Sequence, residues 1–283
     1  MSRDRCGWRV LLGALSLAST LFLAAPAQAA EPVDVELALA VDVSLSMSPM
    51  ELEIQRRGYA SALTDDSVLK AIAQGAYGKI AVTYFEWAGS SSHHVIVPWT
   101  VIAGREDAER IAARLSDSVP NSARRTSVSA ALEFGADLFA ESPFKGMKRV
   151  IDISGDGPNN QGGPVEAARD AVVKQGIVIN GLPLMTSGGF NGGYDIRDLN
   201  KYYADCVIGG PGAFMIPVND WSQFPAAVRR KLVLELAGPL SPVWKAVADG
   251  TAPVWRAQAT KSDCLIGEKG WRDRDWMWDS PPR

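Results

Sequence analysis

The chain has 283 residues, of which 47% are hydrophobic and 22% are charged, and its formal net charge is −3 at pH 7. This composition indicates a globular protein with one sizeable core and excludes a disordered chain. The mild negative charge gives no electrostatic reason to expect nucleic-acid binding.

Residues 1–29 have the features of a secretory signal peptide. Three arginines lie among the first nine residues, Val10 to Ala25 is apolar, and Ala27 to Ala29 is a small-x-small cleavage motif. A retained membrane anchor fits less well, because the apolar run is short for a bilayer and ends at Pro26. We therefore expect a periplasmic or secreted protein with no membrane span in the mature chain.

The first predicted strand, Val33 to Val41, is almost continuously apolar, as strands buried on both faces of a parallel sheet are. It ends at Asp42, which Ser44 and Ser46 follow at alternate positions. Open parallel sheets bind ligands at the carboxyl ends of their strands. A carboxylate and two hydroxyls at such a place suggest a cation site made of hard oxygen ligands.

The later segments alternate between strand and helix patterns. A helix is predicted from Ser48-Pro49 towards Leu63, and a hairpin follows in which Pro98 places the second strand at an edge. The remaining predicted elements are a helix over Arg105–Leu115, a helix over Thr126–Ala140, a strand over Arg149–Ser154, a helix after Gly163-Pro164 through Lys174, a strand over Ile177–Leu184, a last strand over Ala213–Val218 and a last helix over Trp221–Leu236. This alternation predicts an α/β fold with a doubly wound, mostly parallel sheet, one antiparallel edge strand and helices on both faces.

Two later residues complete a pattern that begins at Asp42. Thr126 opens an apolar periodic segment, and Asp156 follows the apolar run that ends in Ser154-Gly155. With these pieces the chain resembles the von Willebrand factor A (VWA) superfamily, whose metal-ion-dependent adhesion site (MIDAS) has the pattern D-x-S-x-S, then Thr, then Asp. The resemblance implies a Rossmann-like fold and a metal site formed by Asp42, Ser44, Ser46, Thr126 and Asp156. The whole layout resembles more narrowly the DUF1194 family, a name that implies no reaction.

The ligand types of this set indicate which cation it would hold and what the cation would do. Hydroxyls and carboxylates suit Mg²⁺ best, with Mn²⁺ or Ca²⁺ as alternatives, and the lack of a His or Cys cluster argues against zinc. Two carboxylates leave a divalent ion able to attract a further acidic group. The resemblance accordingly implies a module that binds the acidic residue of a protein partner, and we expect no enzymatic activity.

Other interpretations of the same residues remain open. Asp42 and Asp156 could serve a hydrolase through a metal-bound water, although no general base has an assigned place beside them. A structural domain with a vestigial site is a further alternative, since Thr126 could be a helix cap and Asp156-Gly157 a turn. Arg124 and Arg125 also depart from the family pattern, which commonly has glycine before the threonine. An arginine there could weaken cation binding or contact an acidic partner.

The chain is predicted to divide into the signal peptide, a VWA-like domain over 30–238 and a C-terminal extension over 239–283. Removal of the signal leaves Cys206 and Cys264, which could form one disulfide or remain two separate thiols. The extension holds five of the nine tryptophans: Trp244, Trp255, Trp271, Trp276 and Trp278. These indoles could pack on the main domain or form a partner-binding tail, and a Cys206–Cys264 bridge would favour packing.

Overall fold

A computed structural model describes residues 30–119, 121–186, 196, 198–237 and 261–278, with side chains as far as residue 272 in the last range. The predicted signal peptide lies outside the described residues, as do Trp244 and Trp255. Within the described part of the chain, no helix combines the length and the apolar character that crossing a membrane requires.

One five-stranded sheet forms the centre of the molecule. Its strands are β1 (Glu31–Asp42), β2 (Ile80–Trp87), β3 (His93–Ile102), β4 (Phe144–Gly155) and β5 (Ile177–Pro183). Their order is β3-β2-β1-β4-β5, and all neighbours are parallel except β2 and β3, which form the antiparallel edge hairpin. The predicted fold class is therefore confirmed, and Pro98 lies on the edge strand as expected.

Helices cover both faces of this sheet. They are α1 (Pro49–Leu63), α2 (Asp66–Ala73), α3 (Arg105–Asp117), α4 (Val128–Ala140), α5 (Val165–Lys174), α6 (Leu199–Tyr202), α7 (Phe224–Leu236) and α8 (Ile266–Trp278). One hydrophobic core packs α1, α2, α3 and α7 against the sheet, and a second packs α4, α5 and α6 against the other face. The sequence did not predict α2 and α6, while Ser48 caps α1 as predicted, in a capping box with Glu51.

The predicted last strand, Ala213 to Val218, is wrong. Only two isolated bridges form there, from Met215 to Gly181 and from Val218 to Leu184. Positive φ angles at Gly210 and Gly212 turn the chain just before this segment, and Pro217 has no N–H to donate to a ladder. The segment therefore runs beside β5 without becoming a sixth strand.

A charged cluster lies inside the core between the sheet and α7. Lys231 on α7 is fully buried, and its Nζ lies 2.7 Å from Asp152 Oδ1 on β4 and 2.5 Å from Glu235 Oε1. The contact with Asp152 is close but not aligned as a hydrogen bond, so charge attraction carries it. Asn180 on β5 donates a hydrogen bond to Glu235 Oε1. One cation thus faces two buried carboxylates.

The excess of carboxylates in this cluster predicts a pH-dependent stability. Burial and the charge of Glu235 outweigh Lys231 and raise the pKa of Asp152 to about 7, and Tyr59 and Tyr203 also feel its charge. Because the folded state favours the protonated carboxyl, this contribution to stability is full below about pH 4 and is lost as pH rises through about 7. Relative to Asp152→Asn, which cannot titrate, the wild type should lose a few kcal/mol of unfolding free energy over that range.

Urea unfolding of both proteins at a series of pH values between 4 and 8 measures this difference. Titratable groups that do not contact Asp152 contribute equally to the unfolding free energies of both proteins, so their contributions cancel in the difference. A difference in unfolding free energy that stays constant over this range would show that Asp152 keeps an ordinary pKa in the folded protein.

A disulfide connects the segment before α8 to the turn that follows α6. Cys206 and Cys264 are bridged, with their Cα atoms 5.6 Å apart, so the alternative of two separate thiols is wrong. Cys206 lies in a π-helical turn that continues α6, and Cys264 lies two residues before α8. The bridge therefore fixes the start of α8 against the α6 side of the sheet.

Candidate metal centre

The candidate site lies where the connections from the sheet leave in opposite directions. β1 is parallel to both of its neighbours, β2 on one side and β4 on the other. Asp42 is the last residue of β1, and Asp156 directly follows the last residue of β4. This is the switch point of a doubly wound sheet, where a crevice opens beyond the carboxyl ends of the strands.

Four of the five predicted residues form one connected chain of hydrogen bonds. The Ser44 backbone N–H donates to Asp42 Oδ1 over 2.7 Å. The hydroxyls of Ser44 and Ser46 are 2.9 Å apart, and Ser46 Oγ donates to Asp156 Oδ1 over 2.8 Å. The alternate spacing of the motif therefore brings both hydroxyls between the two carboxylates, although these are 114 residues apart in the chain.

The carboxylate of Asp42 lies in an electrostatically unfavourable place. Its side chain is fully buried, and its Oδ2 has no hydrogen-bond partner among the described residues. Burial, followed by the charge of Asp156, raises the pKa of Asp42 well above its usual value. Ser46 and Asp156 are only half-buried, so the site has a buried floor and a side open to solvent.

Thr126, the fifth predicted residue, is connected through its backbone to the loop that carries Asp156. Its backbone N–H donates to Asn160 Oδ1 over 2.9 Å, and its carbonyl accepts from the Asn160 N–H over 2.8 Å. The alternative role of Thr126 as helix cap does not apply, because Ser127 is the residue whose side chain caps α4. Arg125, just before it, has a φ of 76°, a conformation that glycine adopts more easily.

Buried polar residues support the loops from below. Gln55 on α1 donates to the carbonyl of Asp42 over 3.0 Å. Arg56 forms a buried ion pair with Glu86 at 2.5 Å, and Glu86 Oε2 accepts from the side chain and the backbone N–H of Asn121. Sequence reasoning missed these residues, because single polar side chains in a helix or a strand carry no motif. Asn159 and Asn160 also support the site, since their side chains accept from the backbone N–H groups of Ser129 and Thr126. Their position as a polar pair soon after Asp156 is a signal that the sequence does contain.

The donor set fits a hard divalent cation. A cation beside Asp42 would neutralise the buried carboxylate and give its Oδ2 a partner, and the neighbouring donors are oxygens, as Mg²⁺, Mn²⁺ and Ca²⁺ prefer. The described residues contain no cluster of three or more His, Cys, Asp or Glu side chains that could hold a metal.

Solved structures with the same fold include a matrix protein of the mussel byssus and a bacterial pilus adhesin. Proximal thread matrix protein 1 from the mussel byssus aligns with a TM-score of 0.52 at 15% identity, covering 73% of this chain and 48% of the mussel protein. A second structure of the mussel protein is described as having a zinc-occupied MIDAS motif. It aligns with a TM-score of 0.50 at 14% identity and covers 73% of this chain and 48% of the mussel protein. The pilus adhesin SpaC from Lactobacillus rhamnosus GG aligns with a TM-score of 0.52 at 13% identity, covering 73% of this chain and 30% of the adhesin.

These likenesses establish the fold alone, and this chain spans about half the length of the mussel protein. No curated protein matches the sequence. A family model does match, over residues 32–240, and its description is "Protein of unknown function (DUF1194)". The matched residues contain all five candidate ligands, β2 to β5, and β1 except for its first residue, Glu31. The predicted resemblance is therefore confirmed, and the chain belongs to the DUF1194 family.

Proposed function

We propose that this protein is an exported VWA-type binding module that engages an acidic group of a protein partner through a divalent cation. The cation would be held by Asp42, Ser44, Ser46, Thr126 and Asp156. The observation that carries the proposal is the buried, unpartnered Oδ2 of Asp42 at the end of the hydroxyl chain. An isolated buried carboxylate is costly, and a bound cation offsets that cost.

The charge balance of this set favours binding over catalysis. When bound, the cation would supply residual positive charge and an open coordination position for a partner's carboxylate. Both carboxylates are used as ligands, so hydrolysis would need a further base. His93, on the edge strand, is instead stacked on Phe134 of α4, with ring centroids 4.8 Å apart.

Exposed residues beside the site are consistent with a protein partner. Leu45, between the two motif serines, is 44% exposed, and Met50 at the start of α1 is 72% exposed. Arg124 is exposed two residues before Thr126. An apolar contact and a positive charge beside a metal would suit an acidic residue with an apolar neighbour.

The first test is calorimetric titration of Mg²⁺, Mn²⁺, Ca²⁺ and Zn²⁺ into the mature chain. Zinc is included because it occupies the MIDAS motif of the mussel protein. A phage-displayed random peptide library, selected in the preferred metal and eluted with acid, then tests the partner chemistry. We expect the selected peptides to contain Asp or Glu and to lose binding when that residue becomes Asn or Gln.

Peptides that bind equally well in EDTA, or that need no acidic residue, would contradict the proposal. Hydrolysis of a phosphate or carboxylate ester that Asp156→Asn abolishes would favour the hydrolase alternative. Export is tested by the N-terminal sequence of the mature chain, which should begin near Ala30.

Gly155→Ala is expected to weaken cation binding about 10–100-fold without unfolding the protein. A side-chain carbon at Gly155 would lie 2.9 Å from Asp42 Oδ2 and 2.8 Å from Tyr203 Oη, so the carboxylate must move. Gly157→Ala is the matched control, because a carbon there meets nothing within 4 Å. Titration of Mn²⁺ followed by electron paramagnetic resonance measures both affinities, and equal affinities would contradict the assignment of Asp42 as a ligand.

A further inference from the structure

Helix α8 begins at a rigidly held point. The Cys206–Cys264 bridge lies just before it, and the backbone N–H of Ser262 donates to Asp205 Oδ2 over 2.7 Å. Both anchors belong to the turn that follows α6. The described part of α8 lies beyond the end of the DUF1194 match at residue 240, so the family pattern assigns it no role.

The first turn of α8 contacts the loop that carries Asp156. Glu268 Oε1 accepts a hydrogen bond from Asn159 Nδ2 over 2.7 Å. A side-chain carbon at Gly267 would lie 2.0 Å from the carbonyl oxygen of Asn159, so helix and loop touch through their backbones. Asn159 Oδ1 in turn accepts from the backbone N–H of Ser129 at the start of α4. Glu268 therefore fixes the amide that joins this loop to the Thr126 side of the site.

The second turn of α8 contacts the loop that carries Thr126. The guanidinium carbon of Arg125 lies 3.4 Å from the centre of the Trp271 ring, within the range of a cation–π contact. Arg125 is the one non-glycine residue with a positive φ in the described part of the chain. Such a backbone conformation persists where surrounding contacts hold it, and Trp271 supplies one.

We propose that α8 is a positioning element that orders both loops of the metal centre before a cation binds. The disulfide fixes the start of the helix, Glu268 positions Asn159, and Trp271 positions Arg125. Thr126 directly follows Arg125, and Asp156 lies three residues before Asn159, so these two residues are thereby held at a fixed separation. The proposal rests on the proposed function only in taking these two residues as ligands.

Amide hydrogen exchange in the metal-free protein tests the ordering directly. The Thr126 and Ser129 amides donate to the side chains of Asn160 and Asn159, so their exchange reports whether the loops are ordered. In Glu268→Ala and in Trp271→Ala we expect exchange at these amides to be about tenfold faster. Exchange at Ala40, which lies within β1 and is fully buried, should remain unchanged.

Conservative variants separate positioning from general stability. Glu268→Gln keeps an acceptor for Asn159, and Trp271→Phe keeps a ring face for Arg125, so both should restore slow exchange. The double variant Cys206→Ser with Cys264→Ser should behave like the alanine variants. Unchanged exchange at Thr126 and Ser129 in the alanine variants, or an equal increase at Ala40, would overturn the proposal.

Mn²⁺ affinity of the same variants separates this inference from the proposed function. If both hold, affinity falls about tenfold in the alanine variants and returns in the conservative ones. If the wild type binds no cation, the proposed function fails, while the exchange data still decide whether α8 orders the loops.

Discussion

Lys231→Ala is expected to lower the free energy of unfolding by about 3–5 kcal/mol. The Lys231 side chain is fully buried and is the one cation in contact with the carboxylates of Asp152 and Glu235 in the described core. Its removal leaves two buried carboxyl groups that must either remain charged without a partner or take up protons. Denaturant unfolding of the wild type and the variant at pH 7 measures the loss.

The matched control for this change is Arg57→Ala on the outer face of α1. The ion pair of Arg57 with Glu53 is also 2.5 Å long, but its side chains are 75% and 57% exposed. Solvent-exposed pairs of this kind contribute about 0–1 kcal/mol. The contrast between the two variants isolates burial as the cause.

A second substitution separates lost charge from lost volume. Lys231→Met keeps most of the side-chain volume and removes the cation, so it should still destabilise the protein at pH 8. At pH 5 the loss should be smaller, because the remaining carboxyls are then protonated at less cost. A Lys231→Met protein as stable as the wild type at pH 8 would show that the cluster does not depend on its cation.

The sheet was predictable because its signals are local. β1, β4 and β5 are apolar runs of strand length, and the hairpin and the capping box at Ser48 are short patterns within a few residues. The wrong prediction at Ala213–Val218 has the same origin, because composition alone does not show that Pro217 and the preceding glycines interrupt pairing.

For the candidate site, the sequence predicts which residue types could act as ligands and their order along the chain, but not the contacts between them. The sequence placed Asp42 and Asp156 at neighbouring strand ends, and the structure adds the serine hydroxyls that join them. The contact between Asn159 and Glu268 joins positions 109 residues apart. No periodicity or spacing encodes such a pair, so the role of α8 became visible only from the folded structure.

Asp42→Asn is expected to have opposite effects on cation binding and on the stability of the metal-free protein. Cation affinity should fall at least about 100-fold, because the substitution removes a charged ligand. The free energy of unfolding without metal should rise by about 1–2 kcal/mol, since a buried charge beside Asp156 disappears. The new amide can keep the acceptor for the Ser44 N–H.

Thermal unfolding with and without Mg²⁺ tests both effects in one experiment. At a concentration 100 times the wild-type dissociation constant, a bound ion stabilises the wild type by about 2.7 kcal/mol, whereas a variant that binds about 100-fold more weakly gains about 0.4 kcal/mol. The variant should therefore be the more stable protein in EDTA and the less stable one in saturating Mg²⁺. Asp156→Asn is the control, since its half-buried side chain should give the same loss of binding with a smaller gain in EDTA. This reversal of order distinguishes a ligand from a structural carboxylate, because the loss of a structural carboxylate would destabilise the protein in both solutions.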